Sequence, residues 1–384
     1  MKTESVIDCG MRGKQAMQSG MFVYVGLEER VPQDHFLRPI KLIADTALRA
    51  MDSALDRLYS RQGRPSVPPE QLLKATLLQI LFGIRSERQL VEHIEFNILY
   101  RWFLDLELDQ RAWDATTFTQ NRDRLLTSEV AKRFLATTVE IAQSKGFVSQ
   151  EHFSVDGTLL HAWASSKSLA PIASNNDDDH PDPPSDGGSK PKAAKDMRKD
   201  FKGQKISNET HRSTTDPEAM LYRKADAAPT KPCYLANAMI ENRNGLVVQG
   251  DVRKPVGEGG ETGAALKMLG DHGGEDEITL GADKGYDTID LVAALKINGV
   301  IPHIARNQYE GRSSAVSDEI AATEGYRMSI RFRKRIEQVF GWIKLAGCVR
   351  QVKVRGKEAV SALFHLCLVA YNLVRIPNIE VARA

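Results

Sequence analysis

Three acidic residues, Asp156, Asp283 and Glu337, have neighbours and spacings that suit metal-dependent chemistry. Asp156 follows the run "HFSV", Asp283 follows "EITLGA", and Glu337 lies in the basic stretch "RFRKRIEQVFGWIK". Strand ends can converge at one edge of a sheet, and a helix that crosses this edge can supply a third carboxylate. Carboxylate oxygens are ligands that Mg²⁺ prefers, and clustered carboxylates repel one another unless cations neutralise them. The three residues are therefore predicted to form a metal site.

Such a site suits phosphodiester chemistry. Two Mg²⁺ or Mn²⁺ ions about 3.5–4 Å apart can activate a water or a 3′-hydroxyl and stabilise the leaving oxygen, so two ions per site are predicted. Each acid alone also has an ordinary explanation. "VDGT" and "DKGYD" are typical of turns, and Glu337, four residues after Arg333, fits a surface ion pair. The joint arrangement of the three acids favours the metal site.

The elements that would position these acids follow residue 151. The pattern predicts a strand ending near Asp156, a loose insertion and a β-hairpin around "ENRNG". A helix, a strand, a helix, a short strand and a basic helix at roughly 325–345 follow, and an apolar helix comes last. This order predicts an α/β fold with a ribonuclease H-like mixed-sheet catalytic core, which is an analogy at the level of fold.

Three parts of the chain are predicted. Residues 1–27 form an N-terminal leader, 28–145 an all-α N-terminal domain, and 146–384 the catalytic domain with a loose insertion at about 165–230. Within the insertion, "SNNDDDHPDPPSDGGSKPKAAK" has almost nothing to bury. In the helical domain, two amphipathic helices flank Gly83, and Ser86 caps the second of them. This outline fits a helix-turn-helix or a plain helical hairpin, and it suggests a role in DNA-end binding or dimerisation.

Composition narrows the class of protein. The chain has 384 residues and a net charge of only +2, so a nucleic-acid surface requires uneven placement of charge. Four cysteines without a CxxC pair argue against a zinc knuckle and a disulfide framework. The start lacks the apolar core of a signal peptide, and no apolar run reaches about 18 residues. These features predict a cytoplasmic protein without a membrane partner.

Positive charge is concentrated near Glu337. Between Arg327 and Lys357 the chain has ten basic residues and one acid, as contacts to a DNA backbone require. A solvated basic helix is the alternative. Positions 333, 337, 340 and 344 share one helical face. The predicted DNA-binding residues are Arg333, Lys344, Arg331, Lys334, Arg335, Arg350, Lys353 and Arg355, with Arg223 and Lys224 as further candidates.

The segments "SVDGTLLHAWAS", "SNETHRSTTDPEAMLYRK", "ENRNGLVV", "ADKGYD" and "RKRIEQVFGWIK" occur in this order. In this respect nearly the whole chain resembles the DDE transposases of the bacterial insertion-sequence-five group. The resemblance implies that Asp156, Asp283 and Glu337 are the catalytic and metal-binding triad. In the family, Tyr, Arg, Glu and Lys are separated by two, three and six residues. Arg333, Glu337 and Lys344 match that signature, whereas Ile330 replaces the tyrosine and Tyr326 lies one helical turn earlier.

The resemblance implies a transposase that binds terminal inverted repeats, cleaves the ends and transfers 3′-hydroxyl strands to target DNA. Its implied partners are double-stranded DNA and further copies of the chain, in a homodimer or higher oligomer. Two alternatives remain open. One is a ribonuclease H-like nuclease that cuts without joining, and the other is a non-catalytic DNA-binding protein derived from a transposase.

Overall fold

A computed structural model describes residues 26–60, 62, 66–125, 127–172, 206–224, 229–272, 278–309, 313–347 and 349–383. Nearly all of the predicted leader and the acidic, proline-rich segment at 174–195 lie outside the described residues. Within the described ranges the α-helices are α1 (Leu27–Arg30), α2 (Leu37–Ala50), α3 (Asp52–Asp56), α4 (Pro69–Leu81), α5 (Glu87–Phe96), α6 (Ile98–Leu104), α7 (Ala115–Leu125), α8 (Ser128–Ser144), α9 (Gly260–His272), α10 (Ile289–Ile297), α11 (Asp318–Ala322), α12 (Glu324–Phe332), α13 (Arg335–Leu345) and α14 (Lys357–Arg383). The strands are β1 (His152–His161), β2 (Leu169–Pro171), β3 (His211–Ser213), β4 (Met220–Tyr222), β5 (Lys231–Glu241), β6 (Val247–Arg253), β7 (Ile278–Ala282) and β8 (Val300–Ile304).

The N-terminal helices follow local signals in the sequence. A proline begins α4, where its missing N–H costs no hydrogen bond, and Gly83 with φ of 63° follows the helix end. Ser86 caps α5 by accepting a hydrogen bond from the Gln89 amide at 3.1 Å, as predicted. The predicted second helix is in fact two helices. Asn97 interrupts it, and its side chain accepts from the Leu99 amide at 2.9 Å and caps α6.

The main sheet is mixed, with β1 near its centre. Antiparallel β5 lies on one side of β1, with β6 and β4 on the far side of β5. Parallel β7 lies on the other side of β1, followed by parallel β8. The predicted hairpin, helix and strand order from 233 to 304 is therefore present.

β1 is longer than predicted, because it does not end near Asp156. It pairs with β5 without interruption from Phe153 to His161, so Asp156 and Gly157 lie inside the strand and not in a turn. In contrast, β7 pairs with β1 only as far as Ser154. Between Ser154 and the bridge from His161 to Gln351, the β7 side of β1 therefore has no strand partner in the described chain, and this is where Asp156 lies.

Helices cover both faces of the sheet. Core side chains of β1, β5 and β6 pack with the N-terminal helices, α13 and α14 on one face. On the other face, α9 and α10 pack on β1, β7 and β8. Side chains alternate along a strand, so Asp156 and Thr158 lie on the α13 face, whereas Val155 and Gly157 lie on the α9 face.

The helix α14 is the central core element. Its Asn372 side chain accepts from the Val247 amide at 2.9 Å and donates to the Val247 carbonyl at 2.8 Å, which fixes β6 on the helix. By length and composition α14 is the one described helix that could cross a membrane, but 78% of its most apolar window is buried inside the protein. This burial is typical of the core helix of a globular domain.

Two other expectations need correction. The predicted single basic helix is divided into α12 and α13. The Ile336 and Glu337 amides bond to the carbonyls of Arg333 and Lys334, three residues back as in a 3₁₀-helix instead of four as in an α-helix. The predicted loose insertion contains regular structure at 206–224. There β3 pairs with β2, and β4 joins the main sheet through β5, so backbone pairing orders residues that carry few apolar side chains.

Candidate active site

Asp156 and Asp283 lie on adjacent parallel strands that run towards the same edge of the sheet. The Asp156 carboxylate accepts a hydrogen bond from the Gly157 amide at 2.7 Å. Asp283 directly follows β7, and its carboxylate accepts from the Gly285 amide at 2.8 Å, capping a short 3₁₀ turn. Burial, together with the charges of Asp283 and Glu261, raises the pKa of Asp156 to about 6, against the opposing effects of the Gly157 amide and Lys224. The structure thus brings the two predicted aspartates into one electrostatic neighbourhood.

Glu261 is a third acid at this place, and it was not predicted from the sequence. It lies in the first turn of α9, and its Oε1 atom is 2.7 Å from the position that a Cβ on Gly157 would occupy. The Lys224 ammonium lies 3.5 Å from Glu261 Oε1 and donates to the Gly157 carbonyl at 3.0 Å. Gly157 was the available signal, because a glycine inside a strand often marks a close approach.

Two buried polar side chains adjoin these acids. Asn237 lies opposite Gly157 on β5 and is fully buried, and neither atom of its amide group has a hydrogen-bond partner in the described part of the chain. Tyr286 is also fully buried, and its hydroxyl has no partner among the described residues. Burial raises the pKa of Tyr286, and the charges of Glu261, Asp156 and Asp283 add to that effect. Both side chains therefore border the same cluster of carboxylates.

Glu337 is exposed on α13 and is not part of a formed cluster. In the described chain, no group of three or more His, Cys, Asp or Glu side chains has the arrangement of a metal site. The alternative interpretation fails as well, since no ion pair joins Glu337 to Arg333. The same helix does reach the site strand, because the Lys344 ammonium donates to the Thr158 hydroxyl. Burial lowers the pKa of Lys344, with Lys224 and Arg350 acting in the same direction and Asp156 opposing them.

The predicted DNA-binding residues fall into two groups. Arg331, Lys334, Arg350 and Arg355 are exposed. The other four make contacts within the protein or are partly buried. Lys353 is exposed but donates to a backbone carbonyl, and the partly buried residues are Arg333, Arg335 and Lys344.

Arg335 illustrates the second group. Its guanidinium donates to the Asn242 carbonyl at 2.6 Å and to the Arg243 carbonyl, and it lies 4.7 Å over the Phe332 ring. These contacts fix α13 on the turn between β5 and β6. Lys353 similarly donates to the Arg85 carbonyl and connects the C-terminal region to the turn before α5.

Tyr326, the residue one turn before the family's tyrosine position, packs edge-on against His303. Its hydroxyl donates to the Ile304 carbonyl at 3.0 Å. His303 pairs with the Ser329 hydroxyl at 2.7 Å, and burial lowers its pKa to about 4. These contacts attach α12 to β8 and give both residues a structural role.

Comparisons with known proteins point to one class. Residues 25–124 match the family described as "Transposase domain (DUF772)", and residues 203–373 match the family described as "Transposase DDE domain". One similar solved structure is "Mos1 transposase paired-end complex with left transposon end", with 9% identity and a TM-score of 0.20 over 78% of this chain and 85% of that chain. Another is "Crystal structure of a pre-cleavage Mos1 transpososome", with 8% identity and a TM-score of 0.18 over 82% of this chain and 81% of that chain. No curated protein matches the chain.

Proposed function

The two family matches together indicate a DDE transposase, and on that premise we propose that the chain cleaves the ends of an insertion sequence and joins them to target DNA. The observation that carries the proposal is the meeting of Asp156 and Asp283 at one edge of a mixed sheet. The strand order β6–β5–β1–β7–β8, with β7 and β8 parallel to β1, is the order expected of a ribonuclease H-like core.

The side chains at this edge fit hard divalent cations. Asp156 and Asp283 offer carboxylate oxygens. The pKa of Asp156 is raised mainly by burial and also by the charges of Asp283 and Glu261, and a bound cation would offset both effects. We propose that these two residues, together with Glu337, hold Mg²⁺ or Mn²⁺. Bound ions of this kind activate a water or 3′-hydroxyl and stabilise the leaving oxygen. Glu337 would have to approach the aspartates when DNA and metal bind, since it is exposed in this structure.

The basic residues would orient the DNA. The Lys344 ammonium donates a hydrogen bond to Thr158 on β1, and the charge of Asp156 acts on the pKa of Lys344. Lys344 is therefore placed to hold a phosphate next to the aspartates. Exposed Arg331, Lys334 and Arg350 would extend the contact along the backbone. We further propose that the helical region 28–145 binds transposon ends or mediates a homodimer or higher oligomer. The protein would act in the cytoplasm, at the nucleoid.

The test is a cleavage and joining assay with labelled DNA that bears the element's own ends, with Mg²⁺ or Mn²⁺. Wild type is compared with Glu337→Gln and with the control Glu319→Gln, an exposed acid on α11. We expect cutting and joining by wild type and the control, and loss of both in Glu337→Gln with DNA binding retained. Full activity of Glu337→Gln would remove this residue from the site. Cutting without joining would favour a nuclease, and binding without cutting would favour a non-catalytic DNA-binding protein.

A further inference from the structure

A polar group of three residues, Glu261, Asn237 and Tyr286, lies beside the two aspartates and has no part in the proposed function so far. Glu261 Oε1 and Asn237 Oδ1 each lie 2.7 Å from the point where a Cβ on Gly157 would stand. Any larger residue at 157 would collide with both oxygens. The two oxygens are acceptors, and acceptors that converge need a donor or a cation between them.

The burial of Asn237 and Tyr286 is an independent indication of a ligand. Both residues are fully buried, and among the described residues neither the Asn237 amide nor the Tyr286 hydroxyl has a hydrogen-bond partner. An unpaired buried polar group destabilises the folded state. Two such groups next to the same carboxylates are best explained by an ion and its ligands at this place.

The charges at the site lead to the same conclusion. The charges of Glu261, Asp156 and Asp283 all act on the Tyr286 hydroxyl, so the three carboxylates lie near this residue, although in the described chain they do not have the arrangement of a formed metal site. Lys224 is one cation at this region, with a side chain that is 55% exposed, and Lys344 is influenced by the charge of Asp156 from the α13 side. These two ammonium groups do not balance three carboxylates, which favours binding of a divalent cation.

The strand geometry explains how Glu261 can join the aspartates. Asp156 faces α13, whereas Glu261 approaches β1 from the α9 face at Gly157. β7 stops pairing with β1 at Ser154, so after this residue no described strand covers that edge of β1. Side chains from the α9 face and the α13 face of the sheet can therefore approach each other there. An ion at this edge is accessible to carboxylates from both faces.

We propose that Glu261 is a metal-binding carboxylate of the site that Asp156 and Asp283 form, with the Asn237 side-chain oxygen beside it. The inference rests on the proposed metal-dependent function and adds a residue outside the predicted triad. In this arrangement the Lys224 ammonium occupies the region in the absence of the ion and competes with it.

The test is titration of the full chain with Mn²⁺ by isothermal calorimetry, in the absence of DNA. Glu261→Gln keeps the size of the side chain and removes its charge, and Asp271→Asn, an exposed acid at the other end of α9, is the matched control. We expect Mn²⁺ to bind at least about tenfold more weakly to Glu261→Gln, as for the loss of one charged ligand, and normally to Asp271→Asn. Wild-type affinity in Glu261→Gln would overturn the inference.

Two further variants separate this inference from the proposed function. Asp156→Asn should also lose affinity for Mn²⁺. If it does while Glu261→Gln binds normally, the proposed function stands and the role of Glu261 is refuted. If wild type binds no Mn²⁺, the metal site of the proposed function is refuted together with the inference.

Lys224→Met covers the case in which Glu261→Gln fails to fold. The change leaves all carboxylates in place and removes the competing ammonium, so we expect Mn²⁺ to bind about threefold to fivefold more tightly, as for the loss of one partly exposed charge. Unchanged affinity in Lys224→Met would contradict the placement of the ion beside Glu261.

Discussion

Asp156 should destabilise the folded protein at neutral pH, and Asp156→Asn should relieve this cost. Burial and two nearby carboxylates raise the pKa of Asp156 from 3.8 to about 6. A difference of this size corresponds to about 3 kcal/mol between the folded and unfolded states. Asparagine has nearly the same shape and can still accept the hydrogen bond from the Gly157 amide, so the main loss is the charge.

The sign of the pH dependence follows from proton binding. Between about pH 4 and pH 6, the folded state holds a proton on Asp156 that the unfolded state has released, so stability falls as pH rises through this range. The cost is complete above the folded pKa and absent below the unfolded pKa. Asp156→Asn should therefore equal wild type near pH 4 and exceed it by about 3 kcal/mol near pH 8.

The assay is urea denaturation of both proteins, without added metal, at several pH values across this range. The slope of the unfolding transition should be the same in both, so the difference in midpoint reports stability. Addition of Mn²⁺ at pH 8 should stabilise wild type and have little effect on the variant. Stability curves that run parallel across the pH range would refute the reasoning, because they would show that Asp156 is not strained by its neighbours.

Three other changes test separate parts of the structure. Gly157→Ala should cost about 1–3 kcal/mol in thermal unfolding, because its methyl group would collide with the two oxygens at 2.7 Å, whereas Gly270→Ala, with no atom within 4 Å, should be neutral or slightly stabilising. Lys74→Met should lower stability by about 1–3 kcal/mol, because this 3%-exposed lysine pairs with Asp45 and Asp105; an unchanged urea midpoint would show that Lys41 alone neutralises both acids. Lys334→Gln should reduce the salt dependence of DNA binding by about one phosphate contact and leave stability unchanged, and an unaltered salt slope would exclude this exposed residue from the DNA contact.

Local signals in the sequence predicted the elements that local forces determine. The β5–β6 hairpin, α4, α9 and α10 lie where periodicity and turn residues place them, and Ser86 caps α5 as expected. The predicted end of β1 near Asp156 was wrong because "VDGT" is typical of a turn. The long pairing with β5 overrides that preference and is not visible locally.

The candidate site was predicted only in part for a related reason. Asp156 and Asp283 follow or lie in recognisable strands, so their approach could be inferred from sheet geometry. Glu261 follows a glycine-rich loop, and only the docking of α9 over Gly157 brings it to the aspartates. The break between α12 and α13 could not be predicted from the sequence either. Arg333 and Lys334, which separate the two helices, keep right-handed helical torsions, and no proline or glycine marks the change.

The position of α14 in the chain sets the order in which the protein can be completed during synthesis. This helix contacts α2, α4 and α8 as well as β5, β6 and α13, and all of these leave the ribosome before it. Until residues 357–383 emerge, both the N-terminal helices and one face of the sheet expose apolar surface. A nascent chain should therefore depend on chaperones until α14 docks, and an isolated fragment of residues 28–145 should aggregate because nothing replaces α14.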